Sequence, residues 1–90
     1  MLVRREREIE QALRRHIRKA GGLCLKFVSP GNAGMPDRLC LLPNGEIFFV
    51  EVKAPGKKPS PLQLKRHEQL KALGFRVFVI DGSDALAEVT

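Results

Sequence analysis

Asp37, Glu51 and Lys53 are the side chains of this sequence best suited to chemistry. Asp37 follows Pro36, and thirteen residues separate it from Glu51-Val52-Lys53, which ends an apolar run. Two carboxylates and a lysine drawn to one place would form a divalent-metal site with a cation beside it, because hard divalent ions take oxygen ligands. The question is which elements bring them together.

The intervening stretch reads as a β-hairpin: Arg38 to Leu42, the turn Pro43-Asn44-Gly45-Glu46, then Ile47 to Val52. Asn-Gly between two apolar runs signals a tight turn, since both central positions need positive φ. A hairpin sets the start of its first strand beside the end of its second, so Asp37 should lie near Glu51. Residues two apart on a strand share a face, so Glu51 and Lys53 should point the same way and Val52 oppositely.

Around the hairpin, Ile9, Leu13, Ile17 and Ala20 recur at helical spacing, predicting a helix from about Val3 to Ala20 that Gly21-Gly22 ends. Leu23 to Val28 reads as a strand, and Ser29 to Pro36 as a flexible connector. Ala54 to Pro59 is a basic, breaker-rich loop. A second helix opens with Ser60 as N-cap, Pro61 at its first position and Gln63 completing a capping box, then runs through Leu64, His67, Leu70 and Leu73 to Gly74. Phe75 to Ile80 is an apolar run expected to be an interior strand, and a short tail follows Asp81-Gly82. The expected order is αβββαβ, an α/β fold with a mixed four-stranded sheet flanked by helices. Its last strand should run parallel to Ile47 to Val52.

Ninety residues, 43% of them hydrophobic, suit a single domain spanning 1–90. Sixteen Lys and Arg against ten Asp and Glu leave a net charge of +6. A small basic domain suggests a polyanionic partner, a nucleic acid or an anionic membrane surface. No apolar run approaches the roughly 20 residues of a spanning helix. The first residues are charged from Arg4 onward and lack the apolar core of a secretory signal. The expectation is a cytoplasmic protein with no membrane association. Cys24 and Cys40 have neither CxxC spacing nor a histidine cluster, which reads as free thiols and not a zinc site. His16 and His67 read as surface or packing residues, each without a neighbouring ligand at convincing spacing.

Arg4, Arg5, Arg7, Arg14, Arg15 and Arg18 populate the first helix; Lys57, Lys58, Lys65 and Arg66 follow in the loop and second helix. Some of these form an ordinary solvated face. Their excess beside a metal site favours a phosphodiester backbone as partner. With no Trp or Tyr and five Phe, most in strands, stacking on unpaired bases is a weak prospect, so duplex or junction backbone is the better substrate.

The combination resembles the PD-(D/E)XK nuclease superfamily, with its restriction-endonuclease-like core. More narrowly, Gly34-Met35-Pro36-Asp37-Arg38, Phe49-Val50-Glu51-Val52-Lys53 and Ser60-Pro61-Leu62-Gln63 look like the virus-type replication-repair nuclease (VRR-NUC) domain. That resemblance implies a metal-dependent DNA endonuclease with Mg2+ or Mn2+ as cofactor. Asp37 and Glu51 would be ligands, together with the backbone carbonyl of Val52, while Lys53 would orient or deprotonate a water or offset phosphate charge. It further implies a homodimer that cuts four-way (Holliday) junctions in DNA repair, in a bacterial or phage-infected cell. Flap, nick or restriction-type cleavage by the same chemistry, and a non-catalytic DNA-binding subunit of a repair assembly, are the alternatives.

The resemblance also suggests an acidic residue from the first helix. Glu6 falls within the Leu13-Ile17 stripe and Glu10 at its border. Glu10 is favoured, against an ordinary intrahelical Glu10–Arg14 pair. It gives Gln63 a place in the active site, although a capping box alone would explain that residue. Lys26 is either a phosphate contact or a solvated strand lysine, and Lys57 and Lys58 complete the candidate DNA-binding set.

Overall fold

The computed structural model describes residues 5–89. Helix α1 (Glu6–Lys19), strand β1 (Leu23–Lys26), the hairpin β2 (Arg38–Leu42) and β3 (Glu46–Val52), helix α2 (Pro61–Ala72) and strand β4 (Arg76–Ile80) follow in order, before a 3₁₀ segment, Ser83–Glu88. Val3 and Arg4, part of the expected first helix and of its basic set, lie outside the described residues. The sheet has four strands in the order β1-β2-β3-β4, antiparallel except where β3 pairs in parallel with β4. The expected mixed sheet with two flanking helices is the observed one.

Local chemistry accounts for the element boundaries. Asn44 and Gly45 take φ values of 70° and 76°, and the turn pairs Leu42 with Glu46, so β3 begins one residue earlier than expected. Gly22 ends the approach of α1 to the sheet because nothing larger fits: a Cβ there would stand 2.3 Å from the Leu41 carbonyl oxygen. At α2, Ser60 Oγ accepts from the Gln63 N–H at 3.2 Å, and Gln63 Oε1 accepts from the Ser60 N–H at 2.8 Å. The expected capping box is complete.

The two faces of the sheet carry different loads. On one, Ile9, Leu13 and Ile17 of α1 are fully buried against Cys40, Phe48, Val50, Val52, Ile80 and Val89. Each such aliphatic side chain contributes about 1.5–3 kcal/mol relative to exposure. Phe49 and Glu51 of β3, and Lys53 just beyond it, therefore face the other side, under α2. There Phe49 packs edge-on against Phe27 and Phe75, with ring centroids 5.7 and 5.8 Å apart. His16 Nε2 meets the Val89 carbonyl at 2.8 Å and ties the tail to α1, a packing role.

Three expectations need correction. β4 is an edge strand, not an interior one, and of its apolar run Val79 is exposed while Ile80 is buried. β1 ends at Lys26 instead of Val28; only the Phe27 N–H continues the ladder, to the Asp37 carbonyl at 2.9 Å. Of the apolar series expected on α2, Leu64 and Leu73 are exposed, and the helix buries His67 and Leu70.

Candidate active site

The topology gathers one end of every relevant element. The last residue of β1, the start of β2, the end of β3 and the first turn of α2 meet at the same end of the sheet. Asp37 stands just before β2, whose first residue, Arg38, pairs with Val50, so the next rung sets Asp37 beside Glu51. Asp37 Oδ1 accepts from the Val52 N–H at 3.1 Å, which fixes the carboxylate against the end of β3. In a strand the N–H and C=O of a residue address the same neighbour. The Val52 carbonyl thus shares the Asp37 side.

Glu51 is the centre of the arrangement. It is only 3% exposed, yet it carries an ionisable group. His67 Nε2 lies 3.4 Å from its Oε1, Gln63 Nε2 donates to its Oε2 at 3.4 Å, and Lys53 Nζ stands 4.0 Å from that same oxygen. Burial, and then the charge of Asp37, push the Glu51 carboxyl up to about 7, against the opposing pull of Lys53. Burial raises Asp37 as well, with Glu10 and Glu6 adding repulsion and the Val52 N–H partly relieving it. Burial, with Lys71 and Lys53 nearby, holds His67 below its ordinary value, so at neutral pH it meets Glu51 as a neutral hydrogen-bonding partner.

Two desolvated carboxyls, with Asp37 raising Glu51, lack positive charge. A divalent cation would supply it, and the residues present fit one. Among the described residues no group of three His, Cys, Asp or Glu side chains is placed to hold an ion. Two carboxylates and a backbone carbonyl suit Mg2+, which keeps several of its waters and seldom sits in an all-protein cage.

Glu10 is positioned differently from Asp37 and Glu51. Its Oε2 accepts from Arg38 at 3.0 Å from Nη2 and 3.2 Å from Nε, so its partner is Arg38, not Arg14. Its charge still reaches Asp37, while that of Glu6 reaches both Asp37 and Glu51. Lys26 is exposed at the end of β1, opposite Arg38. Lys57 and Lys58 are exposed in the loop leaving Lys53.

Two residues escaped the sequence reading. His67 lies one helical turn after Gln63 and so shares its face, a signal the pattern held. Arg38 opens a strand whose alternate residues, Cys40 among them, face α1, and it is 8% exposed. Buried charge of that kind calls for a partner.

The comparisons with known proteins agree with this architecture. A family model for the VRR-NUC domain matches residues 3–84. A protein named "Putative nuclease p44", from Acyrthosiphon pisum secondary endosymbiont phage 1, is 58% identical over 80 residues, covering 89% of this chain and 86% of its own. A solved structure described as a VRR_NUC domain superposes with a TM-score of 0.88 at 35% identity, over 93% of this chain and 91% of that one. On the sequence match and on the architecture, this chain belongs to the VRR-NUC domain family.

Proposed function

We propose that this protein is a Mg2+- or Mn2+-dependent, structure-specific DNA endonuclease that hydrolyses phosphodiester bonds of four-way junctions. Membership of a nuclease domain family and the name of the phage relative support nuclease chemistry. The observation that carries the metal is Glu51, nearly inaccessible and raised to about 7 beside Asp37. Burying a carboxylate next to another is costly unless a cation joins them.

Asp37, Glu51 and the Val52 carbonyl would hold the ion, with Glu10 acting from α1 through its charge on Asp37. When bound, such an ion lowers the pKa of a water and stabilises charge on the phosphate. The Val52 N–H fixes Asp37, while His67 and Gln63 fix the two oxygens of Glu51. Lys53, beside Glu51, orients a water or offsets phosphate charge. Lys26, Lys57 and Lys58, exposed around the same end of the sheet, address the phosphate backbone by charge without reading sequence. Two copies about a two-fold axis would place two centres across a junction of matching symmetry.

The test is a Mg2+ and Mn2+ titration on labelled four-way, flap and linear duplex DNA, with a chelator control. Metal-dependent cutting strongest on the four-way junction is expected, together with loss of at least about 100-fold in Asp37→Asn and Glu51→Gln. Even outer-shell partners of metal ligands are worth 10–100-fold. Cutting that survives chelation, or either variant matching the parent, would refute the metal centre. Equal cutting of all three substrates would refute the junction preference alone.

A further inference from the structure

Cys24 and Cys40 stand directly opposite each other on β1 and β2. The rung they occupy follows from the ladder. The Phe27 N–H bonds to the Asp37 carbonyl, so rung 27/37 is hydrogen-bonded, as is 25/39. Rung 24/40 is then of the non-hydrogen-bonded kind, where Cα atoms approach to about 4.5 Å and side chains are closest. That spacing is inside the roughly 4.4–6.8 Å range of disulfides. Both thiols are free.

The pair is asymmetric. Cys40 is fully buried among core side chains, whereas Cys24 is half-buried and lines a cavity of about 190 Å³ with Arg14, Arg18 and Gly22. Cys24 therefore borders solvent and Cys40 does not. The hydrogen bond with Cys40, then the charges of Arg38 and Arg14, hold the Cys24 thiol below its ordinary value despite partial burial and Glu10. The hydrogen bond with Cys24 and burial push Cys40 up. A part-exposed thiol of lowered pKa beside guanidinium groups, with a second thiol directly across the strand pair, is the arrangement that oxidation selects.

We propose that Cys24 and Cys40 form a hydroperoxide-reactive thiol pair that closes reversibly into a disulfide stapling edge strand β1 to β2. The Cys24 thiolate attacks the outer oxygen of the hydroperoxide. An S–O bond forms, the O–O bond breaks, and the departing oxygen takes up a proton as alcohol or water. Cys24 is now a sulfenic acid, oxidised as the peroxide is reduced. The Cys40 sulfur, giving up its proton, then attacks Cys24; the S–S bond forms, the S–O bond breaks, and water leaves. A dithiol reductant reverses the change by exchange. This modification site is independent of the nuclease reading.

The experiment treats the native full chain with stoichiometric hydrogen peroxide, then counts thiols and measures the intact mass. Wild type should lose both thiols and the mass of two hydrogens, remain unlinked to other chains, and recover on adding dithiothreitol. The Cys40→Ser variant should stop one oxygen heavier, at a Cys24 sulfenic acid trapped by dimedone. The Cys24→Ser variant should keep its Cys40 thiol. The proposal is overturned if wild type retains both thiols at peroxide levels that oxidise the denatured chain, or links chains to one another. It is equally overturned if Cys24→Ser reacts as fast as wild type.

Discussion

Gln63 meets Glu51 with one end of an amide whose other end is already committed. Oε1 accepts from the Ser60 N–H at 2.8 Å, so Nε2 is the atom left to reach Glu51 Oε2, at 3.4 Å. Capping and site contact are compatible roles for this glutamine. They are one arrangement: the cap orients the amide so that a donor, not a repelling oxygen, faces the buried carboxylate.

The two roles separate by mutation. Ser60→Ala should cost about 1 kcal/mol of stability through the lost cap, and leave cleavage within a few-fold of the parent. Gln63→Ala should cost a similar stability and lower cleavage by roughly 10-fold or more, as loss of an outer partner of a metal ligand does. Denaturant unfolding and cleavage rates read the two effects. Equal activity losses in both variants would reduce Gln63 to a cap.

His67 supports Glu51 from beneath. His67→Ala should weaken Mn2+ binding by roughly 10–100-fold, and His67→Gln, which retains a donor, should recover part of it. Calorimetric titration of Mn2+ into each variant measures this. Unchanged affinity in His67→Ala would remove the histidine from the centre's support.

The raised Glu51 carboxyl links stability to pH. Its folded value of about 7 exceeds the ordinary 4.5, so protonation favours the folded chain. That stabilisation is complete below about 4.5 and is lost as pH rises through 7, by at most about 3 kcal/mol. Asp37, also raised, acts in the same direction. His67, held low, opposes it by destabilising the fold as pH falls through its ordinary range. Comparison with Glu51→Gln isolates the carboxyl. Metal-free wild type should lose stability relative to Glu51→Gln as pH rises from about 4.5 to about 7, and Mg2+ should restore it only at the upper end. A flat difference across that range would contradict a raised Glu51.

Arg38 and Glu10 join β2 to α1. A double-mutant cycle on Arg38→Met and Glu10→Gln should show coupling of about 1–3 kcal/mol, above the usual surface pair because Arg38 is buried. Additive losses in urea unfolding would mean the pair carries no net coupling.

The sequence alone determined what acts over a few residues. Asn44-Gly45 placed the turn through a positive-φ requirement, Ser60 and Gln63 placed the start of α2 through hydrogen bonds three residues apart, and the hairpin set Asp37 beside Glu51. Alternation placed Glu51 and Lys53 on one face. Tertiary structure decided the partners that lie further off. His67 reaches Glu51 across 16 residues and Arg38 reaches Glu10 across 28, contacts that exist only once the crossover helix and strand register are set. The edge position of β4 and the shared rung of Cys24 and Cys40 are of the same kind. Local patterns report which way a side chain faces; what it finds there depends on loop closure and packing between separate elements, which no short window of sequence contains.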